Sequence, residues 1–207
     1  MQTLTLRAPA SYVSASAYFC SMVRKLIWIV ASIALVVVAL LAWLGAFKSL
    51  TVNDSPQGGY VVVGYDYMGP FEKIGPVYDR VVAAGDSLGI STDSLVGVYY
   101  SNPEEVVEDS LLSFVGIVVG NSDDDLGTLD FGKMRTEHIP SGRALWIDFP
   151  YSTTLGMYVG IMRSYDALGE ASVAAGLEPG WVYEIHSEGN VRFVFQEYPQ
   201  AEDPAAF

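Results

Sequence analysis

Glu184 is the side chain in this sequence most open to a chemical reading. It stands in the run WVYEIHS, residues 181–187, whose β-branched and aromatic composition predicts a strand. Alternation along that strand puts Trp181, Tyr183 and Ile185 on one face and Val182, Glu184 and His186 on the other. A carboxylate walled by aromatic rings attracts a lipophilic cation through its charge, and the rings add a cation–π attraction. A plainer reading competes with this one: a cross-strand ion pair between Glu184 and Arg192 on a solvated face. From the strand alone that pair is the favoured reading. His186, two residues further on the same face, is placed to share a proton with Glu184. Tyr78, Tyr100, Trp146 and Tyr151 are candidate aromatic walls, although each taken singly reads as ordinary core packing.

Other chemistries find little support. Cys20 is the only cysteine, and the two histidines, His138 and His186, lack ligand spacing, so a zinc site is not expected. Asp123-Asp124-Asp125 does not fit a calcium-binding EF-hand loop and reads as a solvated acidic loop. No nucleophile, base and orienting group stand together in a recognisable pattern. No cofactor is expected.

The elements that position these residues follow from hydrophobic period. Residues 60–67 (YVVVGYDY) predict a strand and 76–88 an amphipathic helix, with Pro76 in its first turn and Gly89 at its stop. Residues 95–100 and 111–119 predict two more strands. A long polar connection over 121–142 follows. Residues 143–149 then predict a strand, and a hydroxyl residue in the turn 150–154 caps a helix that ends at Gly176. Gly156 and Gly160, four apart in that helix, would allow a close backbone approach. The segments 181–187 and 191–196 predict a hairpin across Glu188-Gly189-Asn190. The layout is strand-helix-strand-strand, twice. The fold class expected is α+β, a duplicated unit with an antiparallel sheet and two helices, and a ligand cleft between the two halves.

Residues 26–47 (LIWIVASIALVVVALLAWLGAF) carry no charge and have no polar face, which predicts a transmembrane helix rather than a core helix. The run is longer than the apolar region of a secretory signal, and Leu44-Gly45-Ala46 is a poor cleavage site, so an uncleaved anchor is expected. Arg7, Arg24 and Lys25 precede it with no acid among them. This predicts a cytoplasmic N-terminus and an exported C-terminal part in the cell membrane. The expected organisation is a short arm over 1–25 (with Met22 an alternative start), the anchor over 26–47, a linker over 48–58, one domain over 59–198, and a loose acidic tail over 199–207. Asn53-Asp54-Ser55 is formally a glycosylation sequon.

All 24 acids lie beyond the apolar run, together with only part of the 11 bases. Such a surface repels phosphate backbones, and nucleic acid is excluded as a partner. Repulsion from anionic lipid predicts a domain that stands off the membrane.

Four segments, with a turn, carry a family likeness. They are Gly64-Tyr65-Asp66-Tyr67-Met68-Gly69, Val98-Tyr99-Tyr100-Ser101-Asn102-Pro103, Ile139-Pro140-Ser141-Gly142-Arg143 with the turn Phe149-Pro150-Tyr151, and Tyr183-Glu184-Ile185. In this order they resemble the GyrI-like small-molecule-binding domains, which also serve as effector-binding modules of bacterial transcription activators. The resemblance covers nearly the whole C-terminal part. It is nearer still to a membrane-anchored branch that includes a testis-expressed autophagy receptor of the endoplasmic reticulum.

The resemblance implies that Glu184 is a pocket carboxylate meeting cationic ligands, which turns the reading from the surface pair to the pocket. It places Tyr78 where the family often has a tryptophan, and His186 where a tyrosine is commoner. The chain ends soon after Tyr198 and no helix-turn-helix segment is legible, so neither the receptor's nor the activators' role is expected to carry over. The function expected is a single-pass, membrane-anchored domain that binds an amphipathic, cationic small molecule. The alternatives are a hydrolase of strained electrophiles with Glu184 as base and Tyr100 nearby, as the resemblance implies for some relatives, or a scaffold for a membrane-protein partner with a vestigial pocket.

Overall fold

The computed structural model describes residues 11–122 and 130–198, with side chains from Phe19 onward. The acidic run at 123–125 and the tail over 199–207 lie outside the described residues. The chain divides into two compact units, residues 1–43 and 44–207.

The described residues of the first unit form one helix, α1, Ser11–Trp43. Its stretch Phe19–Trp43 has a mean hydropathy of 2.8, long and apolar enough to cross a membrane. The helix begins earlier than the apolar run and stops at Trp43 rather than continuing to residue 47. Gly45 explains the stop, because it takes a left-handed φ of 86° that ends helical geometry. Its carbonyl accepts hydrogen bonds from the Lys48 N–H at 3.1 Å and from Arg163 Nη1 at 2.8 Å.

The second unit is α+β, and its described residues form eight strands and two α-helices. In chain order these are β1 (Asn53–Asp54), β2 (Tyr60–Met68), α2 (Gly75–Leu88), β3 (Leu95–Tyr99), β4 (Leu112–Gly120), β5 (Arg135–Ile139), β6 (Ala144–Pro150), α3 (Thr154–Ala175), β7 (Pro179–Ser187) and β8 (Asn190–Glu197). All strand pairs are antiparallel and form one sheet in the order β1-β6-β8-β7-β3-β4-β2-β5. The succession β2-α2-β3-β4 and the succession β6-α3-β7-β8 occupy matching places on either side of the β7–β3 junction. β5 was not legible as a strand. Its sequence RTEHI has no apolar alternation, because it is an edge strand whose only fully buried side chain is Ile139.

Register places both helices on one face of the sheet. Ile117, Leu95, His186, Val191 and Phe149 are successive cross-strand partners and so share a face. Ile117 belongs to the cluster under α2, with Val77, Val81 and Val115. Phe149 and Val191 belong to the cluster under α3, with Leu145, Ile147, Leu168 and Phe193. α2 ends at Gly89, whose φ of 70° and N–H bonds to Asp86 and Gly85 carbonyls close the last turn. The Thr153 hydroxyl caps α3 by accepting the Gly156 N–H at 3.1 Å. α3 turns Gly156, Gly160, Ser164, Leu168 and Ser172 to the sheet, one residue every four.

The other face holds Val62, Val96, Val98, Phe114, Tyr183 and Val194, buried with no helix over them among the described residues. Two chain segments cover it instead. Gln57 bridges to Gly142, the Gly59 N–H donates to the Ile139 carbonyl, and the Trp146 indole N–H donates to Ser55 Oγ. These contacts join segments leading from opposite edges of the sheet, so the strands enclose this cluster.

Candidate functional site

Glu184 lies in the middle of the helix-covered face. Its cross-strand neighbours are Gly97 on β3 and Phe193 on β8. One place further out stand Val115, under α2, and Ile147, under α3. The carboxylate is therefore at the seam between the two helix-covered halves, and it is 4% exposed. The cross-strand pair with Arg192 does not form. Arg192 faces Ile185 in register, donates to both Asp148 oxygens at 2.8 and 2.9 Å, and lies 4.1 Å from the centre of the Trp146 ring.

Each half contributes to the carboxylate's shell. Tyr165, on α3, donates its hydroxyl to Glu184 Oε1 at 2.9 Å. Tyr99, on β3, donates to Oε2 at 3.3 Å, and His186 Nε2 lies 3.0 Å from the same oxygen. The Tyr78 ring, on α2, meets the His186 ring edge-on with centroids 5.3 Å apart. Phe71 packs edge-on against Tyr99, and Tyr165 packs against Phe193. Gly97 makes this crowding possible. A Cβ there would stand 2.3 Å from the Tyr78 hydroxyl and 3.2 Å from that of Tyr99. The Tyr78 hydroxyl is buried without a well-formed hydrogen bond. Among the described residues no lysine or arginine reaches Glu184. A buried carboxylate is thus held by two phenols and an imidazole inside a cage of rings.

Burial pushes the phenols of Tyr78, Tyr99 and Tyr165 well above their ordinary range, and the Glu184 carboxylate pushes them further in the same direction. The sign of the pH effect follows. A raised folded-state value favours the protonated phenol, so this stability is complete below the unfolded value of about 10 and drains away as pH rises above it. Replacing Tyr165 by phenylalanine should flatten the loss of stability with alkaline pH by up to about 1.4 kcal/mol per pH unit. Denaturant titrations at a series of pH values above 10, with tyrosinate absorbance as the second probe, measure it. Equal slopes for parent and variant would contradict the buried phenol.

Of the residues singled out from sequence, the fold brings Tyr78 and His186 to Glu184. Tyr100, Trp146 and Tyr151 lie elsewhere. The Tyr100 hydroxyl donates to Glu137 at 3.0 Å and accepts from Arg135 at 3.3 Å, and burial pushes its pKa up to about 12. Trp146 lies under Arg192 on the opposite face. Tyr151 packs in the cluster around α3, where its N–H donates to the Gly189 carbonyl at 2.9 Å. Sequence reasoning missed Tyr99, Tyr165 and Phe71. Tyr99 was within reach, because alternation puts it on the face of Leu95 and Gly97, opposite to Tyr100. Tyr165 required the rotation of α3 about its axis, which its almost uniformly apolar early turns do not disclose.

The opposite face carries a cleft of about 220 Å³, lined by Tyr60, Val118, Asp148, Ile185, Asn190 and Arg192 among others. Its charged lining residues, Asp148 and Arg192, are already paired with each other.

No protein family model matches the chain, and no curated protein matches it. Among solved structures, an integron cassette protein from the mobile metagenome of Vibrio cholerae aligns with a TM-score of 0.48 and 13% identity, over 70% of this chain and 94% of that one.

Proposed function

We propose that residues 59–198 form a GyrI-like binding module, a duplicated strand-helix-strand-strand unit that captures a lipophilic small-molecule cation at Glu184. The observation that carries this reading is the 4% exposure of a carboxylate with phenol and imidazole partners and no lysine or arginine. A buried carboxylate that meets no lysine or arginine and has His186 as its one ionisable partner is costly to hold charged, and an aromatic-walled cation would compensate it through both charge and ring contact. The matching places of the two halves in the strand order support the duplication, and the seam between them is where Glu184 lies. In the described state the cage is closed, so ligand entry requires one of the covering rings to turn aside. Of the three tyrosines around the carboxylate, Tyr78 is the one whose hydroxyl lacks a well-formed hydrogen bond. Equilibrium binding to a soluble piece from residue 44 onward tests the reading. A lipophilic dye cation should bind, and a neutral dye of the same shape should bind more weakly. Equal affinities would remove the charge from the argument.

The same reading makes α1 a single membrane anchor. Its support is the apolar stretch Phe19–Trp43 and the basic residues Arg7, Arg24 and Lys25 toward the N-terminus, which favour a cytoplasmic start and an exported domain. After alkaline carbonate the full chain should stay in the membrane pellet, with the α1 residues still attached. Release into the supernatant, or an exported product lacking α1, would identify a signal sequence instead.

A further inference from the structure

The solvent side of α3 changes character along its length. Leu155, Tyr158 and Met162 form one line at helical spacing, and they are 65%, 52% and 71% exposed. Further along the same exposed side come Asp166 and Glu170. The exposed side is thus apolar near the helix start, acidic at Asp166 and Glu170, and apolar again at Val173, which is 84% exposed, while Gly156, Gly160 and Ser164 face the sheet. Apolar side chains clustered in water on one helix end need an occupant.

The chain itself indicates what covers them. Trp43, the last residue of α1, is joined directly to Leu44, and the residues after it are fastened along the first half of α3. A Cβ on Gly156 would lie 3.5 Å from the Leu44 carbonyl oxygen. Arg163 donates to the Gly45 carbonyl at 2.8 Å and to the Lys48 carbonyl at 2.6 Å, and Lys48 Nζ donates to the Pro150 carbonyl at 2.9 Å. Phe47, in the same short segment, is itself exposed. If Trp43 marks the edge of the bilayer, one peptide step of about 3.8 Å brings the chain to Leu44. From Leu155 to Met162 is only about 10 Å of helix. The exposed apolar line therefore cannot stand far from the membrane boundary.

We propose that Leu155, Tyr158 and Met162 rest in the headgroup region of the bilayer, so that the domain lies against the membrane through the first half of α3. This rests on the anchoring reading of α1. Tyrosine suits that depth, since its ring is apolar and its hydroxyl can remain hydrated. Asp166 and Glu170 come after Met162 on the exposed side, and repulsion from anionic lipid would keep that part of the helix out of the contact. The acidity of the whole domain argued for a domain held off the membrane. The local pattern on α3 departs from it, because the first half of the helix, from Thr154 to Tyr165, carries no acid.

The test uses the full chain with Cys20→Ser and a single added cysteine, carrying an NBD fluorophore, in phosphatidylcholine vesicles. One variant carries Met162→Cys on α3, the other Ser87→Cys on α2. Lipids bearing a nitroxide on the headgroup should remove most of the emission at position 162 and little at position 87. Equal quenching at the two positions, with the chain retained after carbonate, overturns this proposal and leaves the anchor standing. Emission at 162 that is blue-shifted but untouched by the nitroxide, with cross-linking of two chains through that position, assigns the surface to a second copy and also overturns it. Loss of the chain to the carbonate supernatant overturns the anchor and this proposal together.

Discussion

Gly160→Val is expected to destabilise the domain by about 3 kcal/mol, at the upper end of the usual cost of overpacking a core. The Cβ of any residue at 160 would stand 2.4 Å from Phe149 Cδ1 and 2.8 Å from two further ring carbons. Phe149 is sealed in the cluster beneath α3, so the ring has no free volume into which to turn. The helix must lift from β6 and β8, and Tyr165 lifts with it, loosening the shell of Glu184. Gly169→Ala in the same helix should have the opposite sign. Nothing lies within 4 Å of the added carbon there. A helical alanine is worth about 0.5–1 kcal/mol over glycine. Urea denaturation of the two variants beside the parent measures both. A Gly160→Val domain as stable as the parent would mean that α3 does not sit on Phe149 as described.

That contrast shows what was legible in the sequence. The spacing of Gly156 and Gly160 indicated a close backbone approach, and one exists at Gly160, but the partner ring came from a strand that only the fold identifies. The runs of β2, β3, β4, β6, β7 and β8 were readable because burial enriches them in β-branched, aromatic and other apolar residues, and α2 because burial of one side imposes a helical period on its sequence. β5 escaped because Arg135 and Glu137 share a face with the buried Ile139, so this edge strand has no apolar alternation and looks like a polar loop. The end of α1 at Trp43 was hidden for another reason. Hydropathy continues to Phe47, while the helix stops before Gly45, which takes a left-handed φ of 86°.

The site divides in the same way. Alternation alone put Glu184 and His186 on one face. It could not decide whether that face was covered, and so it left Arg192 as a competitor. Register decides it, because Arg192 is opposite Ile185 and belongs with Asp148 on the other face. Tyr78 was named through a family likeness, and it does stand against His186. Tyr99 and Tyr165, which donate to the carboxylate, needed the pairing of β3 with β7 and the rotation of α3. Neither can be obtained from local spacing.

The second large effect concerns the carboxylate itself. Glu184→Gln keeps the shape and removes the charge. The amide can still accept from Tyr165 through its carbonyl oxygen, and the cost of burying a carboxylate whose one ionisable partner is His186 disappears, so stability should hold or rise. Affinity for a lipophilic cation should fall by about 1.5–3 kcal/mol, the scale of a hydrogen bond to a charged group, which is roughly a 10- to 150-fold change in Kd. A neutral dye of the same shape should bind parent and variant alike. Arg192→Gln is the appropriate comparison. It breaks a partly exposed pair with Asp148 on the opposite face, a change worth about 0–1 kcal/mol of stability, and it should leave cation binding alone.

The most direct measurement of the central claim is therefore the calorimetric Kd of one lipophilic dye cation for the domain from residue 44 onward, for the parent, Glu184→Gln and Arg192→Gln. The account predicts that Glu184→Gln alone loses affinity, by at least about 10-fold. Glu184→Gln binding the cation as tightly as the parent would contradict it, and would place any ligand of this domain away from the ring of tyrosines.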